Sequence, residues 1–357
     1  MKILYLGTAA AEGLPAPFCT CAICENARAR RGREVRSRSQ MLIDGELLID
    51  FPPDTYYHAL THDLRLGGVH TLLVTHDHMD HWFPAGLINR HSAYQKGATG
   101  VLHVYANEAV GRSFERHFSS ALYSAQPIGE FVQFHAIHGG ERVRRCGWEI
   151  TAVPADHDWL QECLIYICKK DGKTLLYAHD TGLRLRDAAW ELLAAGRYDL
   201  VSVDATMGLE SCPYNHMGIP DAERFFAKLS ELGCIDERTL CVCSHFSHNG
   251  GLTHEALPRL RRHGSGDMRR QRGRATRSNG PVIPAPGGNA RPRMAKGTTS
   301  GMDHVRAGCF LCAVIRPAGK QWAKNPFSAA SHRRGKGRPR SFRMRGRPVV
   351  RSGNIRT

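Results

Sequence analysis

The sequence has no uninterrupted apolar run that could cross a bilayer as a helix, for which about 18 residues are needed. Its first residues, MKILYLGTAAAEGLP, are interrupted by glycine too early to resemble a secretion signal. Twelve cysteines in a chain without such a signal are more typical of thiols or metal ligands than of a disulfide framework. We therefore expect a cytoplasmic protein that does not associate with membranes.

Acidic residues are almost missing from the C-terminal part of the chain. Residues 263–357 hold 22 Lys and Arg against 2 Asp and Glu, whereas residues 1–262 hold 27 against 31. The net charge of +16 therefore arises in the C-terminal part, and the remainder is mildly acidic. Segments rich in Arg, Gly and Pro with little periodicity predict disorder. We predict a folded domain over residues 1–264 and a disordered tail over residues 265–357, and nucleic acid would bind only through this tail.

Strand and helix patterns are mixed within the first 264 residues. QMLIDGELLIDF predicts two strands joined at Asp44-Gly45, a favoured hairpin pair, and CLIYICKKDGKTLLYAHD predicts a second hairpin. Residues 185–196 and 220–233 have helical spacing closed by glycine, and they alternate with apolar strands. Hairpins followed by β–α–β units indicate an α/β sandwich rather than a doubly wound sheet.

The densest group of ionisable side chains follows an apolar run. In LLVTHDHMDHW, residues 72–82, four side chains of metal-ligand type fall within six positions: His76, His78, Asp80 and His81. Alternate residues of an extended chain point the same way, so His76 and His78 would share one metal ion, and Asp80 and His81 would bind a second. A helix is predicted over 81–89. The alternative is a solvated, histidine-rich loop.

Three later strands offer further ligands where they end. His157 lies in TAVPADHDW, Asp180 in LLYAHDTG and His245 in LCVCSHFSHNG, and each follows an apolar run and precedes a polar turn. Strand ends of α/β folds are common ligand-binding positions. One such residue would be an ordinary loop polar group, whereas three in the same structural position predict that they join the 76–81 turn.

Three cysteines stand close together near the N-terminus. PFCTCAICENAR contains Cys19, Cys21 and Cys24. Thiolates are good ligands for a structural zinc, which takes four ligands, and we expect His248 as the fourth because it lies three residues after His245. The alternative is a set of buried free thiols.

These residues together resemble the metallo-β-lactamase superfamily of metallo-hydrolases over about residues 1–264. The resemblance implies a four-layer αβ/βα sandwich with a site for two divalent metal ions, zinc or manganese, at one edge. Carried over residue by residue, the first ion would be bound by His76, His78 and His157, the second by Asp80, His81 and His245, and both by Asp180.

Four segments carry a narrower resemblance: the cysteine insertion, and the stretches GTAAAEGLP, RSRSQMLIDGELLIDFPPDT and SHFSH. They resemble the PhnP-like group, phosphoribosyl cyclic phosphate phosphodiesterases of the carbon–phosphorus lyase pathway. This implies a small anionic phosphodiester as substrate, such as 5-phosphoribosyl 1,2-cyclic phosphate, attacked by a bridging water that two cations make acidic. Asp80 would orient or deprotonate this water. His216, in PYNHMGIPDAERF, would contact the phosphate or protonate the leaving alkoxide.

Other functions remain open at this stage. A tRNA 3′-processing endonuclease is the first alternative, although the cysteine trio and the acidic character of residues 1–262 argue against it. A nucleic-acid-binding protein that acts through its basic tail is the second. A β-lactamase, a glyoxalase II-type thioesterase and a quinone-cofactor biosynthesis protein share the scaffold, and fold alone does not exclude them. A homodimer is a further expectation for the assembly.

Overall fold

The structure is a computed structural model that describes residues 1–97, 100–119, 127–257 and 313–315. Within these residues, thirteen strands form two mixed sheets. The strands of the first sheet, in spatial order, are β1 Ile3–Gly7, β2 Gln40–Ile43, β3 Leu47–Ile49, β4 Thr71–Leu73, β5 Leu102–Ala106 and β6 Val132–Ala136. β1, β2 and β3 pair antiparallel, and β3 to β6 pair parallel.

The second sheet has seven strands in the order β13-β12-β11-β10-β9-β8-β7. Strands β7 to β10 form an antiparallel meander, and β10, β11 and β12 are parallel. The bounds are β7 Arg142–Arg145, β8 Trp148–Pro154, β9 Leu164–Lys170, β10 Lys173–Ala178, β11 Leu200–Asp204, β12 Leu240–Ser244 and β13 Ala313–Ile315.

Five α-helices and five short 3₁₀ helices occur in the described residues. The helix α5 shows why these segments are helical, since Ala222, Phe225 and Leu229 recur on one face and are buried. The α-helices are α1 Ala22–Arg30, α2 Thr55–Thr61, α3 Glu108–Phe118, α4 Asp187–Ala194 and α5 Ile219–Glu231. The 3₁₀ helices are Gly32–Glu34, Leu66–Gly68, Pro84–Arg90, Ile128–Glu130 and His248–Gly250.

The core is divided into layers by the two sheets. Side chains from both sheets pack together in one apolar cluster, with Met41 and Leu73 from the first sheet and Tyr166 and Val242 from the second. A second cluster lies between the first sheet and α3, and a third packs α4 and α5 against the second sheet. Helices therefore cover the outer faces of two stacked sheets, which is the predicted four-layer αβ/βα sandwich of the metallo-β-lactamase type.

The local predictions agree with the structure in most places. The two predicted helices are confirmed as α4 and α5, with slightly different ends. The helix predicted over 81–89 is present in part, as the 3₁₀ helix Pro84–Arg90, and it begins later than predicted because Trp82 forms an extended bridge with Phe51. Pro84 stands at the first turn of that helix, where its missing N–H has no consequence.

The tail predicted over 265–357 is described only at Ala313–Ile315. These three residues belong to its single apolar island, and they form β13, which pairs antiparallel with β12 through Cys241 and Ile315. The prediction of disorder is therefore wrong for these three residues. The rest of the tail lies outside the described residues. The boundary at residue 264 stays a prediction. No helix in the described ranges combines the length and the apolar composition needed to span a membrane.

Candidate active site and thiol cluster

The predicted metal ligands lie where strands of both sheets end. His76 follows β4, and His157 follows β8 in the opposite sheet. Asp180 and His245 come directly after the parallel strands β10 and β12. The carboxyl ends of these strands meet at one edge of the sandwich, and this topology brings together side chains that are up to 169 positions apart in the chain.

The first ligand set contains three histidines. Ligand atoms of His76, His78 and His157 lie within 4.8 Å of one another. His157 Nδ1 lies 2.9 Å from the carbonyl oxygen of Asn215, to which it donates, and its Nε2 is 3.3 Å from His78 Nδ1. His76 Nδ1 is 2.9 Å from the Thr75 hydroxyl. These contacts orient the rings so that three imidazole nitrogens converge.

The second set contains Asp80, His81, Asp180 and His245, all four buried and again within 4.8 Å. Asp180 Oδ2 lies 2.5 Å from His81 Nε2 and 3.1 Å from His245 Nε2. Asp80 Oδ2 lies 3.0 Å from His81 Nε2. Two carboxylates and two imidazoles thus point at one small volume.

Two buried side chains hold the histidines of this second set. Asp50 Oδ2 lies 2.8 Å from His81 Nδ1, and the Thr206 hydroxyl lies 2.8 Å from His245 Nδ1. Because each Nδ1 is engaged, each Nε2 is left to face the other ligands. A carboxylate or hydroxyl on the far nitrogen is the usual arrangement behind a metal-binding histidine.

The bonding of four polar atoms at the centre indicates whether a cation fits this site. His76 Nε2, His81 Nε2, His245 Nε2 and Asp180 Oδ2 are buried, and none of them has a well-aligned hydrogen bond, although both His81 Nε2 and His245 Nε2 lie close to Asp180 Oδ2. Each buried polar atom left unsatisfied costs about 1–3 kcal/mol, so four in one place are unusual unless a ligand completes them. Imidazole nitrogens and carboxylate oxygens suit zinc and manganese. The residues therefore fit divalent metal ions.

Burial would lower the pKa of His81 and His245, but Asp80 and Asp180 raise it, so a cation would have to displace protons from these two imidazoles. Two other ligands, Asp180 and His76, are already in the form that binds a cation. Burial would raise the pKa of Asp180, but the neighbouring His245 and His81 hold its pKa well below the usual range. Burial lowers the pKa of His76 well below its ordinary value, assisted by His81. The carboxylate therefore stays ionised and the imidazole stays neutral, which are the protonation states that bind cations.

The backbone at the strand ends is left-handed at three positions. The φ angles are 64° at Asp50, 51° at Asp180 and 60° at His245. Residues with a side chain adopt this region rarely, and such conformations concentrate at functional sites. Here the turn aims each side chain across the edge of the sheets and not along the strand.

His216 stands at the border of this centre. Its Nδ1 lies 2.8 Å from Asp204 Oδ2 and 3.3 Å from Asp180 Oδ1, and its ring centroid is 4.8 Å from that of His157. Burial alone would lower the pKa of His216, but Asp204 and Asp180 raise it to about 9. The imidazole is therefore protonated near neutral pH and can give a proton to a group bound at the centre.

The cysteine trio forms a second, separate cluster with His248. The ligand atoms of Cys19, Cys21, Cys24 and His248 lie within 4.8 Å of one another, with His248 Nδ1 3.6 Å from Cys19 Sγ and 3.5 Å from Cys21 Sγ. The fourth residue predicted for this site is thus the one that the structure brings to the thiols. Four ligands close a tetrahedral site, which is typical of structural zinc.

Backbone amides and a carboxylate support the thiol cluster. The amide of Ala16 donates to Cys24 Sγ at 3.4 Å, and the amide of Cys21 donates to Cys19 Sγ at 3.4 Å. A bond from the Cys24 backbone is the largest influence that lowers the pKa of Cys21, to about 6. Glu12 Oε1 lies 3.5 Å from His248 Nε2, on the side away from the thiols. Cys21 therefore favours the thiolate, the form that binds zinc, whereas burial raises the pKa of Cys24 to about 11.

Only two residues separate the two clusters in the chain. His245 belongs to the first and His248 to the second, and the backbone between them is clamped by bonds from Phe246 N to Thr8 O at 2.9 Å and from Ala10 N to Phe246 O at 3.0 Å. Gly208 approaches the same loop so closely that a Cβ atom there would lie 2.0 Å from the carbonyl oxygen of Gly250. The loop after β12 is therefore held on both sides.

Sequence reasoning missed Asp50 and Asp204. Asp50 follows β3 directly and Asp204 is the last residue of β11, and both are completely buried. The signal was present, because LLID and LVSVD each place an acidic residue at the end of an apolar strand, as LLYAHD does for Asp180. Neither residue stands in a cluster of ligand types, and therefore neither was singled out.

Comparisons with known proteins agree with this geometry. A family model described as beta-lactamase superfamily domain matches residues 46–242. Coenzyme PQQ synthesis protein B of Methylobacterium radiotolerans is 30% identical over 152 residues, which are 39% of this chain and 50% of that protein. The chain thus matches about half the length of this curated relative.

Two solved structures show the same fold. A diphosphatase from the PhnP family superposes with a TM-score of 0.55 and 23% identity, covering 72% of this chain and 90% of that one. Zn(2+)-bound PqqB from Methylobacterium extorquens superposes with a TM-score of 0.52 and 20% identity, covering 70% and 89%.

Proposed function

Because this chain belongs to the metallo-β-lactamase superfamily, we propose that it hydrolyses a small cyclic phosphodiester, such as 5-phosphoribosyl 1,2-cyclic phosphate. Two divalent ions, zinc or manganese, would be held by His76, His78, His157, Asp80, His81, His245 and Asp180, and a structural zinc by Cys19, Cys21, Cys24 and His248. The similarity to the fold of a PhnP-family diphosphatase supports a phosphate ester as the substrate.

The observation that carries the proposal is the Asp204–His216 pair beside the ligand sets. Opening a ribose cyclic phosphate expels an alkoxide, which is a poor leaving group unless it receives a proton. His216 is held by Asp204 at 2.8 Å through Nδ1, so Nε2 is the atom able to give that proton. General acid catalysis contributes about 10²–10⁴-fold to such reactions. A thioester would gain less from an acid whose pKa is raised to about 9, because a thiolate leaves readily without a proton.

The other side chains bind and orient. Bound divalent ions would supply Lewis acidity and lower the pKa of a coordinated water. Asp80 is buried and lies beside His81 and His245, and these neighbours hold its pKa well below the usual range although burial opposes them. Its free oxygen is therefore an acceptor that can orient the attacking water. Asp50 and Thr206 fix the imidazoles of His81 and His245.

The role of His216 can be tested with two leaving groups. His216→Gln should lower kcat on a ribose cyclic phosphate by about 10²-fold or more, because the alkoxide then leaves without a proton. On bis(p-nitrophenyl) phosphate the loss should be less than about tenfold, since a nitrophenolate needs little assistance. His138→Gln, a change at an exposed histidine bonded to Glu162, is the matched control. Equal losses on both substrates would remove His216 from the acid role.

A second candidate follows from the sequence similarity to coenzyme PQQ synthesis protein B. It would place the chain in the synthesis of a quinone cofactor, a use of this scaffold that the sequence leaves open. The metal-loaded protein distinguishes the two candidates. Turnover of cyclic phosphodiesters supports the first, and a fully loaded protein that turns over no diester supports the second.

The cellular setting is part of the same proposal. We place the reaction in the cytoplasm, because every cysteine among the described residues is a free thiol and four-ligand thiol sites persist in reducing compartments. The proposed partner is the small anionic substrate. We also propose, as secondary points, that residues 265–357 bind nucleic acid and that the protein forms a homodimer.

A further inference from the structure

An arginine and a tyrosine are stacked on the rim of the candidate active site. The guanidinium carbon of Arg184 lies 3.6 Å from the centroid of the Tyr214 ring, and an Arg184 nitrogen donates to the Tyr214 hydroxyl. Both side chains are exposed. Arg184 is four residues after Asp180, and Tyr214 is two residues before His216. The pair therefore sits on the two loops that supply a proposed ligand and the proposed acid.

Hydrogen bonds fix the position of this pair relative to the centre. Asp156 receives the amide of Arg184 at 3.0 Å, and the amide of Leu183 donates to the carbonyl of Pro213 at 2.9 Å. The next residue after Asp156 is His157, whose ring is bonded to Asn215 on the Tyr214 loop. Three loops at the mouth of the site are thus tied together, and Arg184 is held by backbone bonds as well as by stacking.

Seven arginines of the described residues are neutralised by a carboxylate within 4.0 Å, and Arg184 is not among them. The arginines that have an acidic partner within 4.0 Å are Arg28, Arg30, Arg38, Arg144, Arg197, Arg224 and Arg238. Arg184 instead has its guanidinium laid flat on an aromatic ring. Such stacking pre-organises the remaining donors of this exposed guanidinium, and a planar fork of this kind suits a phosphate.

We propose that Arg184, positioned by Tyr214, binds a second anionic group of the substrate, so that the enzyme selects phosphodiesters that carry a further phosphate. This inference rests on the proposed phosphodiesterase function and narrows its substrate class. The scissile phosphate would lie at the ligand sets, and the further phosphate would lie against the Arg184 guanidinium. A plain diester lacks this second group and would use the metal centre alone.

The activity test uses a matched pair of ribose 1,2-cyclic phosphates, one with a 5-phosphate and one with a free 5-hydroxyl. The unmodified protein should prefer the 5-phosphate form by about tenfold or more in kcat/KM, the range of one charge-assisted hydrogen-bonded contact. Arg184→Gln should abolish this preference through KM while its activity on the 5-hydroxyl form stays unchanged. Arg184→Lys should keep part of the preference, because the charge remains without the stacked fork.

The matched control is Arg186→Gln. Arg186 is exposed, lies two residues further along the same loop and has no stacking partner among the described residues. It removes the same charge, so a long-range electrostatic effect would appear in both variants. If Arg186→Gln reduces the preference as much as Arg184→Gln does, or if Arg184→Gln weakens both substrates equally, the proposal is wrong.

A binding test separates this proposal from the proposed function. Ribose 5-phosphate, which has no cyclic diester to be hydrolysed, is titrated calorimetrically into the metal-loaded protein and its variants. Arg184→Gln should weaken binding about tenfold relative to unmodified protein and to Arg186→Gln. If no diester is hydrolysed but this difference persists, only the phosphodiesterase function fails. If the difference is absent, the Arg184 site fails whatever the enzyme hydrolyses.

Discussion

The two metal-type clusters are built in opposite ways. The first collects side chains from the ends of strands in both sheets, buries them and leaves four polar atoms without a well-aligned hydrogen bond. The second takes three ligands from six consecutive positions that lead from a loop into the first turn of α1, and only Cys24 of the four ligands is buried. A local loop can be completed by one distant histidine, whereas the first cluster exists only when the whole sandwich is assembled.

This difference indicates that the first cluster serves catalysis and the second serves stability. The thiol cluster offers four ligands and so has no position left for a substrate. The strand-end cluster has a general-acid candidate and a charged rim beside it, and in our proposal Asp180 would bind both of its ions. The comparison predicts that damage to the first cluster removes activity without unfolding, and that damage to the second removes stability first.

The largest effect is expected at Asp180, the carboxylate that in our proposal would bind both active-site ions. Asp180→Asn should lower kcat at least about 10³-fold, since bridged cations supply several kcal/mol of transition-state stabilisation. Metal analysis should show loss of the two active-site ions and retention of the thiol-bound zinc, with an unchanged circular dichroism spectrum. Asp171→Asn, the same replacement at an exposed hairpin turn, is the control. Simultaneous loss of all three ions would show that the clusters are not independent.

A smaller effect on activity and a larger one on stability are expected at the thiols. Cys21→Ser should remove one zinc and lower the free energy of unfolding by about 3 kcal/mol, a fall in Tm of roughly 6–12 °C. The active-site ions should remain bound at moderate temperature. Cys146→Ser changes an exposed thiol outside the cluster and should leave both the zinc content and the Tm unchanged. A Cys21→Ser protein with full zinc content would contradict the assigned ligand set.

Two truncations test whether β13 supports both clusters, because β12 leads into His245 and His248. Deletion of residues 320–357, which hold 12 Lys and Arg and no Asp or Glu, should reduce nucleic-acid affinity and its salt dependence while cyclic-phosphate hydrolysis survives. Deletion of residues 265–357 also removes β13, and it should destabilise the protein by about 1–2 kcal/mol through the lost pairing with β12. Equal Tm values for the two deletions would assign β13 no structural role.

The smallest effects are expected behind the ligands. Asp50→Asn should weaken metal binding at the strand-end cluster about 10–100-fold, because Asp50 orients His81 from a fully buried position. Glu12→Gln should weaken zinc binding at the thiols by less than about tenfold, since Glu12 is partly exposed and lies 3.5 Å from His248. Competition with a chromogenic chelator measures both. A larger loss of metal affinity in Glu12→Gln than in Asp50→Asn would contradict the expectation that the buried carboxylate orients its histidine more strongly than the partly exposed one.

The strand ends were predictable because three ligand-type residues follow apolar runs in the same structural position, whereas a single residue of this kind carries no distinguishing signal. His157, Asp180 and His245 follow from this pattern, and the Cys19–Cys24 spacing indicates its own site. The assignment of His216 needed the family resemblance, because a lone histidine before a helix carries no distinguishing signal. The structure places His216 beside Asp204, and this contact depends on the path of a loop that periodicity does not reveal.

Two strands escaped prediction for physical reasons. β7 has the sequence RVRR, which lacks an apolar run, because it is the edge strand of its sheet and its arginines are largely solvent-exposed or half-buried. β13 has three residues and pairs with β12 from about 70 positions away. Such a pairing is fixed by the free edge of β12 and not by local propensity, so only the assembled sheet reveals it.

The left-handed backbone at Asp50, Asp180 and His245 has a consequence for the life of the protein in the cell. Such a conformation costs a residue with a side chain roughly 1–2 kcal/mol, and cation binding to the folded state would offset that strain by mass action. When divalent metal is scarce, a larger fraction of molecules should therefore open and be degraded by proteases. Nutritional metal supply would then set the abundance of the enzyme as well as its turnover.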